Sequence, residues 1–123
     1  MRVTGIDHVQ VAAPRGCEEA ARGFYGGVLG LDEIEKPASL RERGGAWFAC
    51  GAQQLHVGVA DDFAPAAKAH PAFAVEGLDE LAERLGTAGF PVEWDDALAG
   101  RRRFYSADPW GNRLEFVESD GAA

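Results

Sequence analysis

The chain has 123 residues, of which 46% are hydrophobic and 26% are charged, a composition typical of one soluble globular domain. Its net charge of −8 argues against a nucleic-acid partner, because an acidic surface repels phosphate groups. No apolar run approaches the roughly 20 residues that span a bilayer, and the first residues lack the apolar segment of a secretory signal. We therefore expect a cytoplasmic protein with neither a membrane nor a nucleic-acid partner.

Two cysteines, Cys17 and Cys50, occur without a CxxC motif and are too few for a disulfide framework. We interpret both as small, buried residues. Because Cys17 lies near the start of a predicted helix, where a thiol pKa can fall, a reactive role for it stays open.

The first half of the chain predicts one strand, one helix and three further strands. Alternating apolar and polar residues predict a strand over 7–13, which ends at Pro14. Apolar residues at helical spacing predict a helix over 18–29, and Gly30 ends it as a C-cap. Strand-like runs follow over 31–35, 46–50 and 53–59.

The same order recurs after a connection over 60–69 that is rich in Ala, Asp and Pro. A strand is predicted over 70–75, a helix over 78–88, and strands over 92–94, 102–106 and 113–118. Gly30 and Gly89, which end the two helices, lie 59 residues apart, as do His56 and Glu115. The sequence therefore predicts one α+β domain over 1–123, with module one over about 5–59 and module two over about 70–118, each βαβββ.

Four residues with metal-binding side chains lie on the same face of these predicted strands: His8, His56, His70 and Glu115. Neighbouring side chains of a strand point to opposite faces, so these four lie opposite the bulky apolar residues that should pack under the helices. Imidazole and carboxylate ligands suit Zn, Ni, Co, Mn or Fe(II) without distinguishing among them. A single strand histidine is usually a structural residue, but three histidines and one glutamate at corresponding places of a repeat predict a divalent metal site.

Several motifs resemble those of the vicinal oxygen chelate superfamily, which includes glyoxalase I, fosfomycin-resistance thiol transferases, extradiol dioxygenases and bleomycin-resistance proteins. They are Asp7-His8-Val9, Phe24-Tyr25 with Leu29-Gly30-Leu31, His70-Pro71-Ala72-Phe73, and Asp108-Pro109-Trp110-Gly111-Asn112-Arg113-Leu114-Glu115. The resemblance covers almost the whole chain. It implies two βαβββ modules that form an open, cup-shaped mixed sheet with helices on the outer face, commonly completed in a homodimer by pairing within a chain or exchange between chains.

The resemblance also implies roles for individual residues. The family's metal ligands correspond to His8, His70 and Glu115, while His56 stands where glyoxalase-like members usually have a fourth ligand, Glu. This departure puts a glyoxalase I assignment in doubt and leaves His56 as a ligand or a general base.

Three further residues are candidates for substrate contact. Arg103 and Tyr105 would hold an anionic group, as cationic and hydroxyl side chains do in the thiol-transferase members, and Trp47 would wall the pocket. A solvated basic edge and ordinary packing are the alternatives for these side chains.

The favoured function is that of a glyoxalase-like, metal-dependent enzyme acting on a small, oxygen-rich substrate by metal chelation and oxyanion stabilisation. It would be a lyase, isomerase or thiol transferase with His56 and Glu115 as catalytic residues; dioxygenase chemistry stays open, although the chain is short for it. The alternatives are a bleomycin-resistance-type binding protein without catalysis and a metal-binding regulatory protein. The sequence names neither the substrate nor the metal.

Overall fold

The computed structural model describes residues 1–119. The chain divides into two compact units, Met1–Ala64 and a second unit that begins at Pro65. Each unit contains one open, four-stranded mixed sheet, so the predicted α+β fold of paired βαβββ modules is confirmed. Within the described residues, no helix is both long and apolar enough to span a bilayer.

The first unit has its strands in the order β1-β4-β3-β2, with β1 parallel to β4 and the other pairs antiparallel. Its elements are β1 (His8–Ala13), α1 (Glu18–Ala21), a π-helix (Arg22–Val28), β2 (Glu33–Ile34), a 3₁₀ helix (Ala38–Arg43), β3 (Ala46–Cys50) and β4 (Gln53–Val59). Strands β3 and β4 have the bounds that the alternation of the sequence predicts.

The predicted first helix is only partly α-helical, because α1 continues directly into the π-helix. The amide of Leu29 donates to the carbonyl of Phe24 at 2.9 Å, five residues back, which is the π pattern. Phe24 and Tyr25 are both almost fully buried, and the wider turn lets these adjacent aromatic rings pack inward together. Gly30 follows with φ +76°, as a C-cap requires.

The second unit has the strand order β5-β8-β7-β6, with β5 parallel to β8 and the other pairs antiparallel. Its elements are β5 (Ala72–Val75), α2 (Leu78–Thr87), β6 (Glu93–Asp95), β7 (Arg103–Ala107) and β8 (Arg113–Glu118). The prediction that His70 lies in a strand is wrong, because β5 begins two residues later. Pro71 lacks an N–H to donate to the ladder, so regular pairing starts only after it.

The core of each unit lies between the helix and one face of its sheet. In the first unit the Tyr25 ring lies 5.9 Å from the Phe48 ring of β3. In the second unit, Leu85 of α2 and Phe104 and Phe116 of the sheet are fully or almost fully buried. The opposite face of each sheet therefore remains for polar side chains, as the strand parity predicts.

Candidate functional site

In the first unit, three aromatic rings stack across neighbouring strands. His56 of β4 pairs with Gln10 of β1 and with Trp47 of β3. The His56 ring lies 3.9 Å from the Trp47 ring with 4° between their planes, and 4.1 Å from the His8 ring with 18°. These rings form a continuous stack on the sheet face opposite Leu55.

The hydrogen bonds of His8 fix where its proton lies. Its Nδ1 is 2.9 Å from Asp7 Oδ1, and an ionised carboxylate only accepts, so Nδ1 carries the hydrogen. Its Nε2 then keeps a lone pair and has no hydrogen-bond partner within residues 1–119. A carboxylate that accepts from the far ring nitrogen is the usual orienting partner of a metal-binding histidine.

His56 has the opposite arrangement. Its Nε2 lies 2.8 Å from Gln54 Oε1, an amide oxygen that only accepts, so the lone pair is on Nδ1. The residue is 3% exposed, and this burial lowers the pKa of the imidazole, which the ammonium of Lys36 lowers further and the carboxylate of Asp7 raises. His56 is therefore a neutral imidazole at neutral pH, able to accept a proton or bind a cation.

In the second unit, Glu115 is a buried carboxylate, 7% exposed, with a partner on each oxygen. Oε1 lies 2.9 Å from His70 Nε2, and Oε2 accepts from Arg103 Nη1 at 3.2 Å. The other ring nitrogen of His70, Nδ1, lies 2.8 Å from the carbonyl oxygen of Lys68 and must donate to it. A neutral His70 would therefore direct a lone pair at the Glu115 oxygen, so a cation, either a proton or a metal ion, belongs between them.

The strand registers show that the two units present equivalent positions. Glu115 pairs with Ala72 of β5 and with Tyr105 of β7, as His56 pairs with Gln10 and Trp47. His8 and His70 each lie two residues before the first-strand partner. The equivalent pairs are His8 with His70, His56 with Glu115, and Trp47 with Tyr105.

Arg103 and Tyr105 surround Glu115 in the second unit. Besides Glu115, Arg103 has Asp95 as a partner, with Nη2 3.7 Å from its Oδ2. The Tyr105 ring has the Arg113 guanidinium 4.0 Å above its centre and the His70 ring 5.5 Å away, edge-on. The guanidinium of Arg103 is thus committed to carboxylates of this chain, and its predicted role in substrate contact stays a prediction.

A buried turn fixes the start of β8, the strand that carries Glu115. Asp108 Oδ1 accepts from the backbone amides of Trp110 and Asn112, and Asp108 Oδ2 accepts from the Asn112 side chain at 2.8 Å. Asn112 Oδ1 in turn accepts from the amide of Ala66 at 3.0 Å. The Asp-Pro-Trp-Gly-Asn sequence therefore sets the position of the Glu115 carboxylate.

Each unit taken singly offers a pair of metal-binding side chains. Within residues 1–119 neither unit alone holds three or more His, Cys, Asp or Glu side chains grouped to bind a metal ion. The four-residue ligand set therefore stays a prediction. The donor chemistry of the His70–Glu115 pair fits a divalent cation, and His8 resembles His70 in having Nδ1 held by an oxygen, which leaves Nε2 as the nitrogen that could bind a cation.

Sequence reasoning missed the groups that orient these side chains. Asp7 adjoins His8 in the sequence, so this partner was recognisable as a carboxylate beside a candidate ligand. The carbonyl of Lys68 carries no side-chain signal. The suggestion of a reactive Cys17 is not supported, because burial raises the pKa of its thiol and the adjacent Glu18 raises it further.

Comparison with known proteins identifies the family. The family model for the Glyoxalase/Bleomycin resistance protein/Dioxygenase superfamily matches residues 5–116. No curated protein matches the chain.

Solved structures show the same fold. A protein from Bacillus anthracis, described only as a member of the glyoxalase family, is 52% identical, covers 98% of both chains and has a TM-score of 0.93. A lactoylglutathione lyase from Agrobacterium tumefaciens is 25% identical over 96% of both chains, with a TM-score of 0.73. The fosfomycin resistance protein FosX from Listeria monocytogenes shares the fold at 16% identity, with 98% and 97% coverage and a TM-score of 0.77. The predicted resemblance is confirmed, and the chain belongs to the Glyoxalase/Bleomycin resistance protein/Dioxygenase superfamily.

Proposed function

We propose that this chain is a glyoxalase-like, metal-dependent enzyme acting on a small, oxygen-rich molecule. The observation that carries the proposal is the 2.9 Å approach of His70 Nε2 to Glu115 Oε1 while His70 Nδ1 donates to a backbone carbonyl. A histidine held in this way presents the lone pair that metal ions bind, next to a carboxylate oxygen that they also bind.

In this proposal His8, His70 and Glu115 are metal ligands. Glu115 can give Oε1 to a cation while Oε2 stays on Arg103, which keeps the carboxylate oriented. His8 contributes Nε2, because Asp7 holds its other nitrogen. Variants of His8 and of Glu115 test each proposed ligand separately.

His56 fits the role of a general base better than that of a fourth ligand. Two imidazole nitrogens on one zinc ion lie about 3.3 Å apart, with both ring planes directed at the ion. The His8 and His56 rings instead stack 4.1 Å apart and nearly parallel, so their lone pairs do not converge. A neutral His56 with a free Nδ1, held between His8 and Trp47, is suited to take a proton from a bound substrate.

The bound cation would polarise substrate oxygens and stabilise the negative charge that develops on them. Among the residues of the chain, His56 transfers the proton, and Trp47 holds the His56 ring in place by stacking on it. A lactoylglutathione lyase and a fosfomycin resistance protein are among the similar structures. Two classes of substrate should therefore be tested first: thiol adducts of 2-oxoaldehydes, and epoxides. A homodimer in the cytoplasm remains part of the proposal.

The test strips purified protein with a chelator and restores Zn, Ni, Co, Mn or Fe(II) one at a time. Turnover of methylglyoxal–thiol adducts or of epoxides should disappear with the chelator and return with at least one metal. The variant His56→Gln should keep its metal and lose most turnover. Restored metal without turnover, together with drug binding that ignores the chelator, would instead support the bleomycin-resistance-type binding function.

A further inference from the structure

A second feature of the first unit lies beside the ring stack. A cavity of 220 Å³ is lined by Gln10 and Gly58 of the sheet, by Trp47, and by the segment that contains the 3₁₀ helix. Gln10 and Trp47 are the strand partners of His56, so the cavity adjoins the sheet face that carries this histidine.

The charge of this cavity is opposite to that of the protein. Lys36 and Arg43 line it, and none of the described lining residues is Asp or Glu, although the chain has a net charge of −8. The ammonium of Lys36 is close enough to His56 to lower the pKa of its imidazole. Two cationic side chains with no carboxylate among the lining residues make this recess attractive to a small anion.

Two of the lining side chains also have unused hydrogen-bond donors. Within residues 1–119 neither the Arg43 guanidinium nor the Gln10 carboxamide has a hydrogen-bond or ion-pair partner, whereas Lys36 donates to the carbonyl of Gly44. A Cβ at Gly58 would lie 2.5 Å from Gln10 Nε2, so this glycine makes room for the carboxamide. A planar guanidinium and an amide on one recess are the donors that carboxylate and phosphonate groups require.

The rest of the lining is apolar. Leu40, Val59 and Trp47 supply this surface. A ligand that fills the recess therefore carries one anionic group and one compact apolar or aromatic part.

We propose that this recess, the Arg43 pocket, binds the anionic end of the substrate, a carboxylate or phosphonate attached to a small apolar body. The role of the pocket in catalysis rests on the proposed function, because the bound anionic group would place the remainder of the substrate near His56. Binding of the anion itself requires no metal.

The test measures anion binding to the metal-free full-length chain by isothermal titration calorimetry. The probes are benzoate and phenylphosphonate, with benzyl alcohol as the neutral analogue. At least one anion should bind with a Kd in the millimolar range or below, about tenfold or more tighter than the alcohol. Its affinity should decrease with added salt. The preferred anion identifies the group that the substrate carries.

Variants locate the binding. Arg43→Gln and Lys36→Gln should each weaken binding of the preferred anion about tenfold or more. The control variants Arg84→Gln and Lys68→Gln, which remove the same charges outside the pocket, should leave this affinity unchanged. Arg43 is exposed, so its replacement should leave the far-UV circular dichroism unchanged.

Absence of anion binding in the wild type, or equal losses in the control variants, would overturn the inference. Anion binding in a protein that fails to bind metal would uphold the pocket and contradict the proposed function.

Discussion

Replacing Gly45 by alanine should destabilise the first unit far more than replacing Gly51 by alanine. Gly45 precedes β3 with φ +86°, and a Cβ built on it lies 2.0 Å from the carbonyl oxygen of Val57 in β4. Gly51, between β3 and β4, also has a left-handed φ, +58°, but a Cβ there meets nothing within 4 Å. The two variants therefore share the backbone strain and differ in the steric overlap.

The magnitudes follow from these contacts. A left-handed φ costs a residue with a Cβ about 1–2 kcal/mol, which is all that Gly51→Ala should lose. In Gly45→Ala the backbone oxygen must also move by about 1 Å, which disturbs the pairing of Ala46 with Val57. This pair can exchange at most two ladder hydrogen bonds, and at about 1 kcal/mol for each the total reaches about 3–4 kcal/mol.

Urea unfolding followed by circular dichroism measures the difference. Gly45→Ala should lose about 2 kcal/mol more unfolding free energy than Gly51→Ala. Because β3 and β4 carry Trp47 and His56, the indole emission of the folded Gly45→Ala protein should change as well. Equal stability losses in the two variants would refute the close approach on which this reasoning depends.

Three further predictions concern Asn112, Glu18 and the two cysteines. Asn112→Ala should lower the unfolding free energy by about 2–3 kcal/mol in urea titrations, because it removes the side-chain amide that donates to Asp108 Oδ2 and the oxygen that accepts from the Ala66 amide. The Gly45 amide donates to Glu18 and lowers the pKa of this carboxyl group. The unfolding free energy should therefore decrease as the pH falls below about 5 and the carboxylate protonates. The decrease should be smaller in Glu18→Gln. Mass spectrometry after iodoacetamide treatment should show Cys50 alkylated before the buried Cys17.

The sequence predicts those strands in which apolar core residues recur at every second position. Strands β3, β4 and β8 have the expected bounds because their alternate residues, such as Phe48 and Leu55, belong to the core. The glycines after the two helices are equally predictable, since Gly30 and Gly89 both adopt the left-handed φ that their positions require.

Other features depend on contacts that one sequence does not show. The π-helix contains the adjacent buried residues Phe24 and Tyr25, and the 3₁₀ helix lacks an apolar stripe from which the sequence could predict it. The position of His70 before β5 follows from Pro71, and its orientation follows from a backbone carbonyl. Candidate site residues were thus recognisable by type and parity, but their proton positions required the structure.

Metal content is the most direct test of the proposed cation site. Purified protein, dialysed against each candidate divalent metal and then against metal-free buffer, should retain one ion per chain by elemental analysis. Glu115→Gln and His8→Ala should each lose it, whereas Glu118→Gln, on the same strand and half-exposed, should keep it. Equal metal content in Glu115→Gln and Glu118→Gln would contradict the assignment of Glu115 as a ligand and, with it, the metal-dependent function.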